Sequence, residues 1–175
     1  AWSIADYTEE NWPLGYAMFL PATSRSGEFA EAMTVLTYMK FEEVEKWAHS
    51  FNTVSSEDNR GDDYEAFKKR KAELLIDSVG KKFPGLRNCI HSYYTASPLS
   101  YRDYIGNDDG SLYGIVKDFK DPLRTFLSPR TKLPNLYFTG QNLNMHGILG
   151  AAMSGLVTCC ALIGNDKIIE KIRNA

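Results

Sequence analysis

Three cysteines in 175 residues, Cys89 alone and Cys159 beside Cys160, cannot knit a disulfide framework, and a reducing compartment is the simpler setting. An excess of either charge is also missing. Lys and Arg number 20 against 22 for Asp and Glu, a net charge of −2. That balance supplies no long-range field for gathering nucleic acid or an anionic membrane surface, so no nucleic-acid partner is expected. GxGxxG and GxSxG are both absent. Cys89 and His91 have no second ligand pair at zinc spacing, and neither Asp62-Asp63 nor Asp108-Asp109 spells a calcium loop, so no metal is expected. These residues hold no signal-peptide pattern, repeat or low-complexity run. No self-contained catalytic constellation can be read, and the catalytic residues stay unknown. Chemistry, if the chain carries any, has to come from a cofactor. The opening Ala1-Trp2, in mid-pattern and without Met, reads as the C-terminal portion of something longer.

What is present is enough apolar material for a core: 43% hydrophobic residues, 13% aromatic, in a chain of single-domain size. Trp12 to Pro21 is an aromatic and aliphatic run bounded by prolines, and Met33 to Met39 is rich in Thr, Val and Tyr. Both read as strands able to pair. Phe41, Val44, Trp47, Ala48 and Phe51 recur at spacings of three and four and predict an amphipathic helix, with His49 on its surface. After a polar loop at Ser55 to Asp63, a longer helix is expected from Asp62 or Asp63 to about Phe83. Its apolar face is Tyr64, Phe67, Leu74, Leu75 and Val79, and its Lys68 to Lys71 cluster reads as solvated. Asn107-Asp108-Asp109-Gly110 is a turn, followed by a basic connector from Lys117 to Pro134. Leu133 to Thr139 reads as a buried strand.

The stretch Asn135 to Gly155, NLYFTGQNLNMHGILGAAMSG, is the most informative. A strand runs into Gly140, polar residues follow, and a small-residue helix begins near Gly147. Free amides and a partial positive charge at that helix start could cradle an electron-rich carbonyl or phosphate. Tight strand–helix packing would use the same small residues. His146, at the helix start, could contact a ligand or make a plain structural hydrogen bond. Gly147 to Gly164 has 18 uncharged residues, at the low end of the ~17–25 that span a bilayer. Its four glycines, serine and threonine dilute the hydrophobicity, so a buried core helix is expected instead.

Tyr137-Phe138-Thr139-Gly140-Gln141, with GxxGAxxSG at Gly147 to Gly155, resembles the C-terminal signature of amine-oxidase-type flavoproteins, in their phytoene desaturase, carotenoid isomerase and retinol saturase branch. Ser97 to Ile115, Pro122 to Asn142 and Thr34 to Trp47 are similar to the same branch, so the resemblance covers most of the chain. It implies FAD as cofactor, with NAD(P)H a candidate electron donor. Gly140 and Gln141 would lie beside the ribityl and diphosphate, although most relatives carry an acid or a small residue at Gln141. Gly147, Ile148 and Leu149 would open the helix aimed at the flavin pyrimidine edge. Tyr101, Tyr104, Tyr113 and Gly114 would border the ring or an elongated apolar channel, with core and loop packing as their ordinary role.

The implied fold is α+β: a small, mainly antiparallel sheet with packed helices, plus the closing strand–helix unit of a Rossmann-like FAD domain. Residues 1–125 would be the latter half of a substrate domain and 126–175 the FAD-binding segment. The GxGxxG half that this family uses for the diphosphate is missing from these residues. The implied parent is an FAD-dependent oxidoreductase that reduces, desaturates or isomerises C=C bonds of an apolar polyene. Its N-terminal FAD domain would be a partner of this segment. A cytoplasmic location, peripheral membrane contact and homo-oligomerisation are further expectations. Alternatives are a flavin amine oxidase, with Tyr93, Tyr94, Tyr101 and Tyr104 as aromatic cage, and a non-enzymatic α+β binding or self-association module.

Overall fold

The computed structural model describes residues 7–20, 30–57, 59–118 and 120–174, apart from the side chain of residue 57. The expected strand end at Pro21 and the opening Ala1-Trp2 lie outside them. Among these residues the chain is α+β, with four α-helices and two small antiparallel sheets. It divides into two compact units, Ala1–Ser111 and Leu112–Ala175.

In the first unit the two expected strands pair. β1 (Tyr16–Phe19) runs antiparallel to β2 (Thr34–Thr37), with Tyr16 opposite Thr37 and Phe19 opposite Thr34. Trp12 Nε1 donates to the Tyr38 carbonyl at 2.8 Å and Thr37 Oγ1 to the Gly15 carbonyl at 2.7 Å, fastening one end of the pair. The helix expected from Phe41 to Phe51 is instead two 3-10 turns, Phe41–Glu43 and Glu45–Trp47, broken at Val44. A spacing of three serves a 3-10 turn as well as an α-helix, and it suffices to bury Val44 and Trp47. Phe51 is left 46% exposed. The polar loop that follows carries a short hairpin, β3 (Asn52–Thr53) with β4 (Ser56–Glu57).

Helix α1 spans Asp62–Gly80, with Gly61 at its N-cap and Asp62, Asp63 and Glu65 in its first turn, where acids favour the helix dipole. It ends before the expected Phe83. Its buried side chains are Tyr64, Lys71 and Val79, while Leu74 is exposed. Lys71 corrects the solvated reading of the lysine cluster. Seven residues after Tyr64 it falls two turns along the same face. Its ammonium pairs with Glu43 at 2.5 Å and lies over the Trp12 ring. Tyr7 donates to the same Glu43, and burial together with that bond pushes its phenol well above the usual range.

Helix α2 (Pro98–Ile105) was not anticipated. Its signal is Ser97 before Pro98, a capping box in which Ser97 accepts from Leu99 N and Ser100 closes back on the Ser97 amide. The core joins Val44, Trp47, Tyr64 and Leu99, with Trp47 edge-on to Tyr64 at 5.1 Å. Beside it Asp103 is fully buried, accepting from the Asn52 amide at 2.8 Å, from Arg102 Nε at 2.8 Å and from Arg60. Arg102 also donates to the carbonyls of Ala48 and Ser50. Burial raises the Asp103 pKa, but these donors outweigh it and hold the carboxyl below its ordinary value.

The second unit holds α3 (Gly147–Ile163) and α4 (Asn165–Arg173) behind a long irregular segment. The buried strand expected at Leu133 to Thr139 is reduced to one antiparallel bridge between Arg130 and Tyr137. Leu133, Leu136 and Phe138 are 63, 45 and 54% exposed, because no neighbouring strand covers them among the described residues. No helix among the described residues is long and apolar enough to cross a membrane.

Candidate functional site

Helix α3 forms where the apolar, uncharged run predicts it, but its burial is the reverse of the expected core helix. Gly150, Ser154 and Thr158, four residues apart, are its buried positions. Ile148, Leu149 and Met153 are 93, 66 and 43% exposed. The polar pair grips the segment before the helix. Gly140 N donates to Ser154 Oγ at 2.8 Å, and Thr158 Oγ1 donates to the carbonyls of Phe138 and Ser154 at 2.9 Å. These bonds fix the sequence-predicted Gly140 and the Phe138 carbonyl against α3 by their backbone, with the sequence-predicted Gln141 next in the chain.

The turn from Gln141 to His146 is held from its other side. Asn142 Oδ1 accepts from the Ile115 amide at 3.0 Å. A Cβ on the sequence-predicted Gly114 would lie 1.7 Å from that oxygen, so only glycine allows the approach. Leu143 is buried, and its carbonyl accepts from Lys117 Nζ and from the Leu127 amide. The chain then crosses the first turn of α3 so closely that a Cβ on Gly150 would meet the Met145 carbonyl oxygen at 2.1 Å.

His146 occupies the N-cap of α3 without capping it, leaving the first-turn amides of Gly147, Ile148 and Leu149 with no side-chain acceptor at the cap. The ring of Tyr113, also sequence-predicted, sits 5.6 Å from the His146 ring, tilted by 42°. His146 Nδ1 and Asn144 Oδ1 are buried polar atoms with no hydrogen-bond partner among the described residues. Open space adjoins Gly140 and Gly147, where a Cβ would meet nothing within 4 Å. This end of α3 therefore presents free donors, two unsatisfied polar atoms and exposed Met145, Ile148 and Leu149. That donor set, with its apolar surround, fits a flat ligand having a polar edge and an apolar face.

The structure thus brings Gly140, Gln141, Gly147, Ile148, Leu149, Tyr113 and Gly114 into one unit. Tyr101 and Tyr104 lie in the other, on α2, half-buried and 62% exposed respectively. Sequence reasoning missed Lys117 and Asn142, which organise the turn, and the i, i+4 role of Ser154 and Thr158. Two hydroxyls one turn apart on an otherwise apolar helix were the available signal for that pair. A surface concavity of about 270 Å³ lies instead along α4, lined by Asp166, Ile169, Glu170, Arg173 and Asn174. Among the described residues no cluster of His, Cys, Asp or Glu could hold a metal ion.

No family model matches the chain, and no solved structure matches it significantly. Curated proteins do. All-trans-retinol 13,14-reductase of Rattus norvegicus is 31% identical over 134 residues, covering 75% of this chain and 21% of that protein. The Homo sapiens protein of the same name is 29% identical over 145 residues, 81% of this chain and 23% of its own. Over the matched residues the chain is similar to retinol saturase and phytoene desaturase-like proteins. Prolycopene isomerase 1, chloroplastic, of an Oncidium hybrid cultivar extends this retinol saturase-like relationship, at 28% identity over 128 residues, 70% of this chain and 22% of the isomerase. The chain spans about a fifth of the length of the curated relatives it matches.

Proposed function

We propose that the chain is the C-terminal portion of an FAD-dependent oxidoreductase that reduces, desaturates or isomerises C=C bonds of an apolar, retinol- or carotenoid-like polyene. The observation that carries this reading is the similarity to proteins named for a retinol reductase and a prolycopene isomerase, along a chain bearing Gly140-Gln141 and the GxxGAxxSG run at Gly147 to Gly155. Residues 1–125 are read as the latter half of a substrate domain and 126–175 as the segment that completes the FAD domain. The uncapped α3 terminus, its two unsatisfied polar atoms and its apolar surround support a flavin there.

FAD supplies the two-electron chemistry when bound. The amides of Gly147, Ile148 and Leu149 would hold the pyrimidine edge and favour negative charge on the reduced ring. Gly140 and Gln141 would hold the ribityl and diphosphate. Ile148, Leu149 and Met145 would exclude water, and Tyr113 with Gly114 would border the ring. Tyr101 and Tyr104 are proposed for the polyene channel.

The complete gene product, supplied with FAD, NAD(P)H as donor and all-trans-retinol or a carotene, is expected to convert the polyene and change the redox state of its flavin. Flavin that never changes redox state with any polyene would defeat the assignment. The chain by itself is expected to bind FAD weakly or not at all; yellow absorbance surviving gel filtration of this segment alone would contradict that.

A further inference from the structure

Lys117 heads the basic connector, yet it has no carboxylate partner among the described residues. Its ammonium instead donates to three main-chain carbonyls: Thr125 at 2.8 Å, Asn142 at 2.9 Å and Leu143 at 2.8 Å. A lysine ammonium carries three donors, so it is saturated by these oxygens alone. The same junction is tied by the Ile115 amide to Asn142 Oδ1 and by the Leu127 amide to the Leu143 carbonyl, and the Leu143 side chain is 2% exposed. Three carbonyl dipoles converging on one point repel one another unless a cation sits between them, and bonds to a charged donor are the stronger kind.

We propose that Lys117 is the positioning residue of the turn from Gly140 to α3, its ammonium fixing Asn142 and Leu143 from within a three-carbonyl cage. Removal of the side chain leaves a site for a small monovalent cation, of which ammonium is the closest mimic. The proposal rests on the flavin reading only for what the turn binds, since the cage itself is a property of the chain. Neutral replacement frees the turn, and with it the path leading to the first-turn amides of α3. The guanidinium of arginine is a planar fork that cannot place three donors around one point, so it substitutes poorly.

The test uses the complete gene product and reads amide hydrogen exchange at residues 142–147 alongside FAD affinity. Lys117→Ala is expected to speed exchange there and weaken FAD binding, each by about tenfold to a hundredfold, the loss expected for bonds to a charged donor. Ammonium chloride should restore both, while tetramethylammonium at matched ionic strength, which carries no N–H donor, should restore neither. A merely structural lysine would show no such rescue. Unchanged exchange in Lys117→Ala, or a loss that ammonium fails to reverse, would overturn the proposal. If the alanine variant does not fold, Lys117→Arg is measured; faster exchange confined to this turn supports the point-charge cage, and wild-type exchange refutes it. A wild type that takes up no FAD would defeat the flavin reading while the exchange experiment still decides the role of Lys117.

Discussion

The two units place their apolar side chains in opposite ways. In Ala1–Ser111, Val44, Trp47, Tyr64 and Leu99 close on one another, and the charged groups that enter with them, Asp103 and Lys71, bring partners. In Leu112–Ala175, the long helix buries a glycine, a serine and a threonine and turns Ile148, Leu149 and Met153 outward. The first unit is held mainly by side chains against side chains. The second is held by polar side chains gripping backbone: Ser154 and Thr158 on 138–140, Asn142 on Ile115, Lys117 on three carbonyls. Large apolar groups gain free energy only when covered, and among the described residues the bulky side chains of α3 stay largely uncovered.

The contrast can be broken most forcefully at Asp103. Asp103→Ala would strand the buried Arg60 guanidinium and is expected to cost about 3–5 kcal/mol in urea unfolding. Loss within 0.5 kcal/mol would mean that the network contributes little. The same carboxyl gives a pH signature. Its folded pKa lies below the unfolded value, so its contribution is complete above about pH 4, the unfolded carboxylate range, and fades as pH falls through the folded value. Acid titration of stability should therefore be shallower in Asp103→Asn than in the wild type.

Leu99→Ala, at a fully buried position, is expected to cost about 2–5 kcal/mol through lost burial and the remaining cavity. In the second unit the sensitive positions should be small and polar. Thr158→Val removes the donor to the Phe138 carbonyl and should cost about 1–3 kcal/mol, with Thr158→Ser recovering most of it. Hydrogen exchange at residues 138–140 would localise the effect. The smallest change is expected at the bulkiest bare residue. Ile148→Gln should alter the stability of this chain by no more than about 0.5 kcal/mol, because the side chain is 93% exposed. A large loss at Ile148 would erase the contrast between the units.

Much of the local structure was legible. The proline-bounded aromatic run and the Thr- and Val-rich run pair as β1 and β2, and the uncharged run from Gly147 is a helix. The turn at Asn107–Gly110 also forms, closed by the Gly110 amide on the Asn107 carbonyl at 2.8 Å. The apolar residues from Phe41 to Phe51 misled because a spacing of three does not separate a 3-10 turn from an α-helix. Leu133 to Thr139 misled because a hydrophobic run specifies a wish for burial and not the element that provides it. Of the candidate site, the residues carrying the family signature were readable, whereas the supports behind them were not.

The sequence by itself determined which residues share a helix face, where the chain turns, and which family the chain matches, because these depend on periodicity, backbone freedom and local order. Only the tertiary structure decided that α3 turns its small polar face inward, that Lys71 enters the core, and that Lys117 is clasped by carbonyls up to 26 residues away along the chain. The value of a charge or an apolar face is set by what folding brings against it, and those partners lie beyond the reach of local pattern.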